Sequence, residues 1–160
     1  MTTGAAPKLI WHAGVSLDFV REVQPRTMAE HLGIVFTELG PDYLRATMPV
    51  DERSCQPMRL LHGGASVVLA ETLASTGANS VIDSSRLSFV GQEINANHLR
   101  AVPVGGIVTG TTRPFHIGQR SQVWGTEIVD ERGRLVCVSR MTLALVDRPL
   151  IVPPPGAASL

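Results

Sequence analysis

At 160 residues and 44% hydrophobic content, the chain has the length and composition of one compact domain rather than a disordered segment. Its 14 basic and 14 acidic residues cancel, so no bulk charge draws it to nucleic acid or to an anionic membrane, and neither is expected as a partner. Any anionic ligand must be held by local groups.

Met1 to Ile10 lacks a charged stretch leading into a long apolar run, the pattern of a secretory signal. The longest low-polarity stretch, Ala65 to Ala74, is broken by Ser66, Glu71 and Thr72 and is too short to span a bilayer. Cys55 and Cys137 stand in no metal-ligand spacing and fit a reducing compartment, although a disulfide between them stays open. The expectation is a cytoplasmic protein.

Two helix starts come first. Ser16 precedes Leu17-Asp18-Phe19-Val20, and Thr27 precedes Glu30 by the three residues of a capping box. From Gly33 the period becomes two: Val35, Thr37 and Leu39, a Gly40-Pro41-Asp42 turn, then Leu44, Ala46 and Met48, which reads as a hairpin. Pro49, Pro57 and the polar residues between Asp51 and Gln56 mark a loop.

From His62 to about Val81 the chain opens with Gly63-Gly64 and continues with small and apolar residues at nearly every position, so a helix buried on most of its circumference is expected. After Asp83-Ser84-Ser85-Arg86, strands are expected at about Val90 to Arg100, Gly106 to His116, Ser121 to Asp130 and Arg134 to Val146, with turns between them. A hairpin, one apolar helix and a run of antiparallel strands predict an α+β fold in which a curled sheet wraps a central helix. The expected division is an extension with short helices over 1–31, a main domain over 32–146 and a flexible proline-rich tail over 147–160.

Glu71 is an isolated carboxylate inside the apolar helix, where an unpaired charge is costly. It is either a nucleophile or general base whose basicity burial raises, or a carboxylate that reaches solvent or pairs with an arginine. Ser75 lies four residues on and shares its face; it is either a substrate contact or a core hydroxyl bonded to backbone. His62, Gly63 and Gly64 sit at the helix start, where free amides and the positive dipole end can polarise a carbonyl, or form only a hinge. That start and Glu71 would lie roughly 13 Å apart at ~1.5 Å per residue, so one copy of the helix cannot easily serve one carbonyl with both. The geometry predicts a homodimer whose site joins Glu71 of one chain to Gly63 of another. Gln56 could orient a carbonyl or water, or be merely solvated, and His98 lies on a strand near Arg100. No P-loop, dinucleotide-binding glycine motif or metal-binding histidine spacing occurs, so neither a metal nor a cofactor is expected.

Gln56-Pro57, then Leu61-His62-Gly63-Gly64-Ala65-Ser66-Val67-Val68-Leu69-Ala70-Glu71, and later Gly91-Gln92-Glu93-Ile94-Asn95-Ala96-Asn97-His98 resemble the hotdog-fold acyl-CoA thioesterases. The similarity runs from about Leu32 to Val146. It is greatest to the group acting on 1,4-dihydroxy-2-naphthoyl-CoA and in enterobactin proofreading, and extends to the glutamate-dependent 4-hydroxybenzoyl-CoA thioesterases. The resemblance implies a homotetramer built as a dimer of dimers, with an active site at each dimer interface. It makes Glu71 the nucleophile or the base that activates water, supplied opposite Gln56, His62 and Gly63, with the Gly63 amide polarising the thioester carbonyl. His62 and Gln56 would orient thioester and water, and Ser75 and His98 would lie near the acyl pocket. Arg100, His116, Gln119, Arg120 and Ser121 are candidates to hold the CoA nucleotide, CoA being part of the substrate rather than a cofactor. The expected reaction is hydrolysis of an aromatic or medium-sized acyl-CoA to acid and CoA. A hotdog dehydratase pairs histidine and acid at other spacings, and the alternative from another class is a non-catalytic domain that binds or senses acyl-CoA.

Overall fold

The computed structural model describes residues 9–147 except Val23 and Arg86; the expected proline-rich tail beyond Asp147, the segment before Leu9 and the Arg86 end of the polar break lie outside the described residues. In chain order the elements are α1 (Leu17–Glu22), α2 (Met28–His31), β1 (Val35–Leu39), β2 (Leu44–Pro49), α3 (Gly63–Ser80), β3 (Leu87–His98), β4 (Ile107–Ile117), β5 (Ser121–Asp130) and β6 (Leu135–Asp147).

The short helices begin where the caps are. Ser16 Oγ accepts from Phe19 N at 3.1 Å, and Thr27 Oγ1 accepts from Glu30 N at 3.4 Å, satisfying amides that a helix cannot bond internally. β1 and β2 form the expected hairpin, and all six strands make one antiparallel sheet in the order β1-β2-β4-β5-β6-β3. The third strand begins earlier than its sequence pattern indicates, at Leu87, and stops at His98; Arg100 lies beyond it. β3 ends up at the far edge because α3 carries the chain across the sheet from β2.

The strands bury one face. In β5, Gln122, Trp124, Thr126 and Ile128 point inward while the residues between them face out. Helix α3 lies on that inner face through Leu69, Ala70, Leu73, Ala74, Gly77 and Ala78, and burying Leu69 and Leu73 contributes about 1.5–3 kcal/mol each. Buried polar side chains are paired: Thr126 Oγ1 donates to Thr112 Oγ1 at 3.0 Å and Thr112 Oγ1 to Gly125 O at 3.1 Å, while Trp124 Nε1 donates to Gln122 Oε1 at 2.7 Å. This is the α+β hotdog arrangement of a curled sheet around one helix.

The helix is not buried all round. Gly64 and Glu71 are exposed, and Val67, Val68, Thr72 and Ser75 are half-buried, so one stripe of α3 faces away from the sheet. One sheet covers one side of a helix. Weakly polar Ser, Thr and Gly residues gave that open side no charged stripe to announce it. The chain before α1 adds to the core instead: Trp11 stacks on Trp124 with ring centroids 6.3 Å apart and donates from Nε1 to Gly40 O at 2.6 Å, while His12 N bonds Ser80 O at the end of α3. Val20 and Ala29 of the two short helices are buried in the same core. Both cysteines are free thiols, and burial pushes the Cys137 thiol above its ordinary range. Among the described residues no helix is long and apolar enough to cross a membrane.

Candidate active site

The start of α3 is built by His62. Its extended backbone, φ −71 and ψ 133, makes it the N-cap, and its Nδ1 accepts from Gly64 N at 2.8 Å, which leaves Nε2 to carry the proton of the neutral ring. Its carbonyl accepts from Ala65 N at 3.0 Å and Ser66 N at 3.2 Å. Among the described residues, the Gly63 amide is the one amide of this first turn left without an acceptor, a donor at the positive end of an 18-residue helix. The loop before it is pinned: His62 N donates to Ser54 O at 2.9 Å, Leu61 N to Val102 O at 2.8 Å and Gln56 N to Leu60 O at 2.8 Å.

Gly63, Gln56, His98 and Arg100 line one cavity of about 380 Å³. His98 lies so close over Gly63 that a Cβ there would stand 2.7 Å from His98 Nε2, so the ring packs against the glycine that carries the free amide. The Gln56 carboxamide oxygen accepts from Met58 N, which leaves its NH2 group as the available donor.

Glu71 and Ser75 open into a different cavity of about 490 Å³, shared with Val68, Thr72, Thr76 and, from the segment before and within α2, Gln24, Thr27 and Met28. Glu71 makes no hydrogen bond or ion pair with another described residue, and it is exposed, as in the solvent-reaching alternative that the sequence left open. Its carboxylate folds over Gly91 of β3. Ser75 Oγ lies 3.9 Å from Met141 Sδ. The wall from Gln24 to Met28 was missed in sequence; the capping box at Thr27 marked a helix there but nothing said which surface it would face.

Gly63 and Glu71 are eight residues apart on one straight helix, roughly 12 Å at ~1.5 Å per residue, and they face separate cavities. Ser75 goes with Glu71, whereas His98 goes with Gly63. His116, Gln119, Arg120 and Ser121 gather at the β4–β5 turn, closed by Gly118 N to Ser121 O at 3.0 Å and tied to β6 by Leu145 N to Arg120 O at 2.9 Å. All four are exposed. Ser121 pairs with Ala144 and His98 with Cys137, so the turn and the Gly63 cavity are separated by seven residues of β6, about 23 Å at ~3.3 Å per residue. One chain does not bring the candidate residues into one site. Among the described residues there is no cluster of three or more His, Cys, Asp or Glu that could hold a metal ion.

Residues 58–137 match the profile of the Thioesterase superfamily. The chain is 48% identical over 138 residues to the proofreading thioesterase EntH of Cronobacter sakazakii, covering 86% of this chain and 99% of that protein. It is 46% identical over 138 residues to the 1,4-dihydroxy-2-naphthoyl-CoA hydrolase of Escherichia coli, covering 86% and 100%. Among solved structures, a mutant thioesterase from Pseudomonas aeruginosa superposes with a TM-score of 0.83 at 39% identity, covering 86% of this chain and 99% of that one; a thioesterase from Haemophilus influenzae gives 0.82 at 40% identity, covering 87% and 96%.

Proposed function

The chain belongs to the thioesterase superfamily and is a thioester hydrolase; we propose that it cleaves an acyl-CoA, with an aromatic or medium-sized acyl group, in a site shared between two copies of the chain. The similarity to a naphthoyl-CoA hydrolase supports the acyl class. The observation that carries the reading is the division of the machinery: a free amide at Gly63 in one cavity and an unpaired carboxylate at Glu71 in another.

In a shared site the Gly63 amide of one copy donates to the thioester oxygen as it gains negative charge, the task of an oxyanion hole. Glu71 of the second copy stands across the carbonyl and either attacks it or takes the proton from an attacking water. Gln56, through its free NH2, and His62, through Nε2–H, orient thioester and water, with His98 beside them. Ser75 and its neighbours receive the acyl group next to Glu71. Arg100 at the mouth of the Gly63 cavity and the exposed group His116, Gln119, Arg120 and Ser121 hold the CoA nucleotide through guanidinium, imidazole and hydroxyl donors to phosphate. The products are the free acid and CoA, formed in the cytoplasm by a homotetramer of two such dimers, with no group beyond the chain's own side chains and amides.

The test uses two dead enzymes. Gly63→Pro removes the amide hydrogen at a first helical position, where proline is accepted and where ψ 133 at His62 suits a following proline. Gly63→Ala keeps the hydrogen and adds a Cβ at the same place. The proline variant is expected to lose about a hundredfold or more in kcat relative to the alanine one, and Glu71→Ala to lose turnover with folding intact. Mixed and reassembled, the Gly63→Pro and Glu71→Ala chains regain activity, because half of the hybrid sites take both intact groups. No recovery from hybrids shown to form would overturn the shared site, and near-normal turnover by Glu71→Ala would overturn the mechanism.

A further inference from the structure

Glu71 is held by no hydrogen bond to another described residue, so among these residues its orientation comes from packing, and the surface it packs on is unusual. Gly91 lies in the interior of the 12-residue strand β3, where a residue without a side chain weakens a strand and commonly marks a close approach of another group. A Cβ at position 91 would stand 3.2 Å from Glu71 Oε1 and 2.5 Å from Met141 Cε. The strand register shifts between Gly91 and Glu93, a bulge of the kind that re-aims side chains beside active sites. Below the carboxylate, Met141 is 2% exposed and touches Ser75 through its sulfur. Two residues before Gly91, Phe89 is fixed to the helix by Asn79.

From this arrangement we infer that Gly91 is a positioning residue: its missing side chain is the space into which the Glu71 carboxylate folds, and the strand edge sets the carboxylate's position toward the substrate. The inference rests on the reading of Glu71 as the catalytic group. A methyl group at 91 forces the carboxylate off the strand by a few tenths of an ångström or into another rotamer, and placement errors of that order cost catalysis far more than binding, about a hundredfold per ångström.

The experiment separates this from simple crowding of the core. Gly91→Ala also meets Met141, so it is compared in a Met141→Leu background, where the terminal methyl group is gone and the core swap itself is mild. Gly91→Ala with Met141→Leu is expected to lower kcat about tenfold relative to Met141→Leu alone, with KM within about twofold and the thermal midpoint unchanged. Val90→Ala, one residue back and on the opposite face of the strand, is expected to leave both constants unchanged. A rate equal to that of Met141→Leu alone, or a loss confined to KM, would overturn the inference. Glu71→Ala in the same series keeps the two readings apart: if it abolishes turnover while Gly91→Ala is harmless, only the role of Gly91 falls.

Discussion

Asn79 offers the sharpest test of how α3 is fastened to the edge strand. In the last turn of α3 its carboxamide makes four bonds, all at 2.9 Å: Nδ2 donates to Ser75 O and Phe89 O, and Oδ1 accepts from Ser88 Oγ and Phe89 N. In Asn79→Ala the four are not equal losses. Ser75 O keeps its place in the helix ladder, and the half-buried Ser88 hydroxyl can turn to water. The N–H and C=O of Phe89 lose a partner at an edge where no described strand lies beyond β3. Two backbone bonds at about 1 kcal/mol each set the cost, and the better helix propensity of alanine offsets about 0.5 kcal/mol. The expected net loss is about 1.5 kcal/mol. With an unfolding entropy of about 2.1 cal/mol/K per residue, that lowers the thermal midpoint by roughly 4 °C. Equilibrium urea unfolding at fixed protein concentration measures it: the midpoint should fall with m unchanged. Asn79→Asp, which keeps the acceptors but sets a carboxylate against two carbonyls at a helix C-terminus, should do no better than alanine. If Asn79→Ala lies within about 0.3 kcal/mol of wild type, the reasoning that these edge groups need the side chain is wrong.

Two other substitutions read the fold independently. Gly77→Ala brings a helix-propensity gain of about 1 kcal/mol into conflict with a Cβ 2.8 Å from the Trp124 ring; that ring is fully buried and hydrogen-bonded and cannot give, so overpacking at about 1–3 kcal/mol should win and calorimetry should show a lower midpoint. At the β5–β6 turn, burial of Asp130 opposes its ionisation, but the Arg134 guanidinium and the amides of Arg134 and Arg132 outweigh burial and hold the carboxyl below its ordinary range. A depressed folded value means that the stabilisation is present above the unfolded value near ~3.9 and is lost as pH falls through the folded one. Asp130→Asn should therefore lower stability at neutral pH and flatten the acid limb of the stability profile; an unchanged acid limb would remove Asp130 from the account.

The periodic features of the chain were the legible ones. Period two located β2, β4, β5 and β6 to within a residue or two, and Ser16 and Thr27 announced their helices, because each of these signals is local. His62, Gly63 and Glu71 stood out as candidates for the same reason: glycines at a helix start and a charge among apolar residues are visible without a third dimension. What sequence could not convey is which residues meet. Trp11, in a stretch without period, packs on Trp124 from more than a hundred positions away. Gln24 and Met28 join the Glu71 cavity only because α2 docks beside α3. The separation of Gly63 and Glu71 along the helix was foreseeable from helix rise alone, whereas the open stripe of α3 was not, since serine, threonine and glycine fit a buried face as well as an uncovered one.

The chain has two tryptophans, and they are the two that stack. One belongs to the segment ahead of the first helix and the other to the floor of the sheet, so tryptophan emission reports the docking of that segment together with the integrity of the core. Release of Trp11 alone would change the emission while all six strands remain paired. A fluorescence melt can therefore precede loss of far-ultraviolet circular dichroism without any intermediate in the sheet itself, and the gap between the two curves would measure how firmly the N-terminal strap is latched.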